Sequence, residues 1–191
     1  IDDVLKGFQK GQMYLLAARP SMGKTALVLQ IAKAVSAQTP TAILSLETTN
    51  KSLGMRYLIN DSCISGNKVQ GGCLSDEDMA QLLGSAGSLS ELPIYFDDSA
   101  SVTPESIRAK VNSMKRKWDI EFLIIDYVQL MEGTGETREQ EVAEVSKACV
   151  QVAKDFDISV LGVAQLSRKN EMRGGDKRPM LSDLRESGQL E

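Results

Sequence analysis

Short apolar runs alternate with longer stretches of helical spacing along this chain. Met13-Tyr14-Leu15-Leu16-Ala17 predicts a strand that reaches Ala18, and Thr41-Ala42-Ile43-Leu44-Ser45-Leu46 predicts a second that ends at Glu47. Pro93-Ile94-Tyr95-Phe96-Asp97 reads as a short strand with proline at its entry. Glu121-Phe122-Leu123-Ile124-Ile125-Asp126 and Ile158-Ser159-Val160-Leu161-Gly162-Val163-Ala164, the latter ending at Gln165, complete the set. Continuous apolar runs of this kind suit parallel strands buried on both faces. A helix is expected from Lys24 to Ala37; it is apolar nearly all round (Leu27, Val28, Ile31, Ala32, Val35) and should be well buried. Asn50 to Ile64 is read as helical and Gly66 to Gly72 as a loop. Ser75-Asp76-Glu77-Asp78 has the form of a capping box, with Met79, Leu82, Leu83 and Ala86 as the buried stripe of the helix that follows. Thr103 and Pro104 supply an N-cap and a first helical residue for a helix carrying Ile107, Val111, Met114 and Trp118. Val142, Val145, Cys149, Val152 and Phe156 mark the last helix. Strands alternating with helices predict an α/β fold: a mostly parallel central sheet flanked by helices, with right-handed crossovers.

Between the first strand and the first helix lies Ala18-Arg19-Pro20-Ser21-Met22-Gly23-Lys24-Thr25. This is the layout of a phosphate-binding loop, G-x-x-x-x-G-K-[ST], with Ala18 at the first glycine position. The helix start leaves backbone N–H groups free for an anion, and Gly23 lets the backbone approach a phosphate. Lys24 would neutralise the β/γ-phosphates of ATP, and Thr25 would offer its hydroxyl to Mg²⁺. An ordinary strand–helix turn is the alternative, but both flanks match the motif.

Ligands of parallel α/β sheets bind at the carboxyl ends of the strands. Glu47, Asp126 and Gln165 all stand at such ends. Asp126 fits an acid that helps hold Mg²⁺ beside Thr25, or else a strand-end cap of the next turn. Glu47 fits a carboxylate that deprotonates an attacking water, or else a surface ion-pair partner. Gln165 could report on the γ-phosphate through its amide. Alone each residue is weak; their convergence on one edge is the stronger argument.

Composition narrows the chemistry. The chain has 191 residues, 42% apolar and 25% charged, enough for one domain with a sizeable core. It contains no His, which removes Ser-His-Asp catalysis, H-E-x-x-H zinc sites and imidazole proton transfer. The net charge of −4 argues against a general nucleic-acid coat but not against a local basic patch. Arg168, Lys169, Arg173, Lys177, Arg178 and Arg185 form such a stretch; it could follow a phosphate backbone or be a solvated loop. The lysines and arginines at 108, 110 and 115–117 read as a solvated helix face, with a DNA-contacting stripe as the alternative. Cys63, Cys73 and Cys149 show no paired spacing and read as reduced thiols of a cytoplasmic protein. No apolar run approaches membrane-span length.

Five stretches occur in order that together resemble the C-terminal motor domain of DnaB-family replicative helicases, bacterial or phage. They are residues 18–25, Ser45-Leu46-Glu47, Ile124-Ile125-Asp126-Tyr127-Val128-Gln129-Leu130-Met131, Ala164-Gln165-Leu166-Ser167-Arg168, and 177–188 with Ser182-Asp183-Leu184-Arg185-Glu186-Ser187-Gly188. The resemblance spans nearly the whole chain. It implies a RecA-like P-loop NTPase fold and a homohexameric ring with ATP at subunit interfaces. It also implies 5′→3′ translocation on single-stranded DNA, with primase and loader contacts through other regions. Lys24, Thr25 and Asp126 match the family's nucleotide and Mg²⁺ residues, Glu47 its catalytic glutamate and Gln165 its γ-phosphate sensor. Arg185, Glu186 and Gly188 fall on its central-channel DNA loop. Ala18 is common in this family; Thr48 stands where Met usually follows Ser-Leu-Glu. The resemblance further implies an N-terminal domain ahead of Ile1 and an arginine-finger segment after Glu191. Two rivals remain at this point: another RecA-like ATPase, of recombinase or clock type, and a non-hydrolysing nucleotide-binding relative. The stretch 182–188 disfavours the first, and Glu47 disfavours the second.

Overall fold

The computed structural model describes residues 6–19, 21–99, 102–126, 128, 131 and 138–166. Five strands form one parallel sheet in the order β1-β5-β4-β2-β3. The strands are β1 (Met13–Ala18), β2 (Thr41–Ser45), β3 (Ile94–Asp97), β4 (Phe122–Asp126) and β5 (Ser159–Gln165). The helices are α1 (Lys24–Ser36), α2 (Asn50–Ser62), α3 (Gly66–Gln70), α4 (Asp76–Ser90), α5 (Pro104–Trp118) and α6 (Arg138–Asp155). The expected α/β architecture is therefore observed.

β4 explains why its sequence lacks polar alternation. Phe122 and Ile124 enter a core shared with α1 and α2, through Val28, Leu29, Ala32, Leu53 and Tyr57. Leu123 and Ile125 enter the opposite core, with Ile107, Val111 and Met114 of α5 and Val145, Cys149 and Val152 of α6. Each face of the strand needs an apolar residue, so none can be spared for water. The crossovers obey one handedness. Connections from β1 to β2 and from β2 to β3 run one way and place α1 and α2 on one face. Those from β3 to β4 and from β4 to β5 run back and place α5 and α6 on the other.

Both N-caps read from the sequence are present. Ser75 and Asp78 form a reciprocal capping box at α4, and Thr103 caps α5 with Pro104 at its start. The basic side of α5 is largely neutralised: Lys110 pairs with Asp97 at 3.1 Å, Lys115 with Asp119 at 3.0 Å, and Arg108 with Asp155. That favours the solvated face. Cys149 is buried in the core, which pushes its thiol up to about 12, and Cys63 and Cys73 are exposed.

Three expectations are corrected. The stripe on α4 is not buried: Met79 is 46% and Leu83 66% exposed, while Leu82 and Ala86 are half-buried. The reason is position, because α4 rests mainly on α2 and only Leu89, near its end, packs against the core shared with the sheet, so only a narrow strip is covered. Leu27 is likewise exposed, on the side of α1 that faces away from the sheet. Residues 66–70 form a short helix where a loop is expected. The Ser65 carbonyl accepts from Lys68 N at 3.0 Å and Val69 N at 3.3 Å, closing one turn before Gly71 and Gly72 end it. No helix among the described residues is long and apolar enough to cross a membrane.

Candidate nucleotide site

The loop after β1 is shaped by two residues in left-handed backbone conformation, Ser21 at φ 62° and Gly23 at φ 81°. Gly23 is the N-cap of α1 and offers no side-chain cap, so the first backbone N–H groups of that helix stay available. A Cβ at Gly23 would meet no atom within 4 Å. Its demand on the sequence is therefore the positive φ, and the space in front of it is open. Successive N–H groups in such a turn, aligned with the positive end of a 13-residue helix, make a concave anion site. Pro20, counted with the loop, lies outside the described residues.

Parallel pairing brings the other candidates to the same edge. Ala18 is in register with Gln165, and Ser45 with Asp126. β2 stops one residue earlier than its apolar run, because Ser45 Oγ donates to the Thr48 carbonyl at 2.7 Å and accepts from Thr48 N at 3.2 Å. That turn carries Glu47 over the strand end. Arg19, Ser21, Gly23, Lys24, Thr25, Glu47 and Gln165 all line one cavity of about 800 Å³. Its far wall is α2 and α3, with Arg56, Ile59, Asn60, Gly66 and Gln70. Those last residues escaped sequence analysis: Arg56 and Asn60 lie three and seven positions after Leu53, beside or on its own face of α2, and no local motif marks them.

Asp126 sits behind the loop. Thr25 Oγ1 donates to its Oδ2 at 3.4 Å, and Lys24 Nζ lies 3.7 Å from its Oδ1. The Asp126 side chain is 4% exposed and that of Lys24 12%. Burial raises the Asp126 carboxyl above the usual carboxylate value, and the negative charge of Glu47 adds to this; Lys24 and Thr25 oppose it. Asp126 Oδ1 is buried without a hydrogen-bond partner. A buried, under-satisfied carboxylate beside a hydroxyl is a fitting donor set for a hard divalent cation. Among the described residues no group of three acidic, Cys or His side chains could hold a metal by itself. A cation here would thus depend on the phosphates of its ligand as well. Arg185, Glu186, Gly188 and the basic stretch 168–178 lie outside the described residues.

A family model for the DnaB-like helicase C-terminal domain matches residues 1–191. The chain belongs to this family. It is 41% identical over 196 residues to replicative DNA helicase DnaB of Geobacillus stearothermophilus, and 40% identical to replicative DNA helicase DnaC of Bacillus subtilis. Both matches take in 100% of this chain but 43% of the relative, so the chain spans under half their length. Among solved structures, the ATPase domain of G40P superposes with a TM-score of 0.90 at 36% identity, covering 96% of this chain and 67% of that one. A DnaB-like replicative helicase studied with its primase interactions also gives 0.90 at 36% identity, covering 96% of this chain and 45% of that one. The RecA-like fold expected of the family is the fold observed.

The buried carboxylate makes a prediction about the ligand-free state. Replacing Asp126 with Asn removes a charge that burial and Glu47 both disfavour. Its folded pKa lies above the unfolded one, so the folded form binds the proton more tightly, and wild-type stability falls as pH rises through that interval. The Asn variant should therefore melt about 2–4 °C higher than wild type at neutral pH, the equivalent of about 1 kcal/mol in a domain of this size. The gain should shrink as pH falls toward the ordinary carboxylate range. Scanning calorimetry at several pH values checks this; an advantage that grows on acidification would show that Lys24 outweighs burial.

Proposed function

We propose that this domain is the ATP-hydrolysing motor of a replicative DNA helicase, working in the cytoplasm on single-stranded DNA. The observation that supports this best is the convergence of the phosphate loop, Glu47, Asp126 and Gln165 at one sheet edge, around a cavity large enough for a nucleotide. In this reading the loop of residues 18–25 cradles the phosphates through the backbone N–H groups of residues 21–25, and Lys24 offsets their charge. Thr25 and Asp126 hold Mg²⁺, which neutralises charge on the β- and γ-oxygens when bound. Glu47 stands above the strand end, where a carboxylate can orient water and take its proton. Gln165, in register with the start of the loop, senses the γ-phosphate through its amide.

ATP hydrolysis in a homohexameric ring then drives 5′→3′ movement along single-stranded DNA and parts the duplex. One solved relative is described with its primase interactions. Primase and a loader are proposed as partners of the complete protein through regions other than this site. Arg185, with Glu186 and Gly188, is proposed to follow the DNA backbone. Arg185→Ala should weaken single-stranded DNA binding about equally for all sequences and lower the salt slope by about one. Fluorescence anisotropy across a salt series measures both; a loss confined to some sequences would mean base reading. The function itself is tested by strand separation on forked DNA with the complete protein. Separation with ATP but not with a non-hydrolysable analogue is expected; equal separation with both would contradict the motor.

A further inference from the structure

The far wall of the cavity holds a cation that the proposed mechanism leaves unused. Arg56 lines it together with Lys24, Thr25 and Glu47. Among the described residues it forms no ion pair, whereas Lys24 on the same cavity faces Asp126.

The position of Arg56 on the cavity side of α2 is set by the fold. Leu53 and Tyr57 are buried at 1% and 5% exposure, which fixes the rotation of α2 about its axis. One turn beyond Arg56, Asn60 donates its amide to the Ala26 carbonyl at 3.2 Å, tying that same face of α2 to the first turn of α1. The entry of α2 is fixed as well: Thr49 caps it, and Asn50 N donates to Asp98 at 2.9 Å. Helical side chains lean toward the helix N-terminus, and for α2 that end follows Glu47 directly. Arg56 is exposed, and from this position its long guanidinium can extend back toward the carboxylate that marks the terminal-phosphate end of the site.

Charge balance points the same way. Lys24 already has Asp126 as a neighbour, and Glu47 adds a second negative group. A nucleoside triphosphate would bring further negative charge to that end. A planar donor fork suits a phosphate oxygen pair better than any other group on this wall.

We propose that Arg56 contacts the terminal phosphate from within the same subunit and so lets the site distinguish a nucleoside triphosphate from a diphosphate. This rests on the nucleotide reading of the cavity. The test is calorimetric binding of Mg-ADP and of a non-hydrolysable Mg-ATP analogue to wild type, Arg56→Ala and Arg56→Lys. Arg56→Ala should weaken the analogue by about 10- to 100-fold, the worth of a charge-assisted hydrogen bond, and ADP by less than about twofold. Arg56→Lys, which keeps the charge and loses the fork, should recover part of the difference. An unchanged ratio of analogue to ADP affinity in Arg56→Ala overturns the inference, and so does an equal loss of both nucleotides. If wild type binds neither nucleotide, the nucleotide reading of the cavity fails first and carries this inference with it.

Discussion

Lys24→Ala is expected to lower Mg-ATP affinity by at least about 100-fold, the equivalent of about 3 kcal/mol for a charge-assisted contact in a water-poor loop. The lysine is the first residue of α1, and its side chain is 12% exposed, so its ammonium meets phosphate with little competing water. It also stands 3.7 Å from Asp126, and that second contact has a consequence for the empty protein. Without Lys24 the Asp126 carboxyl loses the largest influence that lowers its pKa and takes up a proton more readily. The fold should survive, because a carboxyl that can neutralise itself does not remain as an unpaired buried charge. Isothermal calorimetry on both proteins, with circular dichroism to confirm folding, decides the matter. Equal affinities would remove Lys24 from the site.

Glu47→Gln in the complete protein should bind ATP like wild type and hydrolyse it about 10² to 10⁴ times more slowly. The amide is nearly isosteric but cannot accept a proton from water. Glu47 belongs to an exposed turn at the strand end, and none of the described ion pairs uses it. Its replacement should therefore not lower the melting temperature, and relief of its repulsion of Asp126 should raise it slightly, which separates a role in turnover from a role in the fold. These 191 residues contain no His, so no imidazole of this domain can take over as the base. Turnover close to wild type at saturating ATP would assign the proton transfer elsewhere.

The sheet was legible because each of its strands must be apolar on both faces. Phe122 to Ile125 serve two cores at once, and so do Ala42 to Leu44 of β2 and Val160 to Val163 of β5. Capping residues were legible too, since Ser75 with Asp78, and Thr103 with Pro104, act within one turn of sequence. The burial of α4 was not. Met79 and Leu83 carry the spacing of a core stripe, yet the helix lies in a second layer against α2, and periodicity does not say what an element packs against. The near half of the site was written locally, in eight consecutive residues and three strand ends. The far half was not, because Arg56, Asn60 and Gln70 approach the loop only through the way α2 and α3 fold back over α1. No short motif records such an approach.

The most direct test is a crystal structure of the chain with Mg²⁺ and a non-hydrolysable ATP analogue. The account predicts phosphates on the backbone N–H groups of residues 21–25, the metal beside Thr25 on the Asp126 side, and the terminal phosphate facing Glu47, Gln165 and Arg56. A nucleotide bound anywhere but at this edge of the sheet, or a terminal phosphate turned away from Glu47, would contradict it.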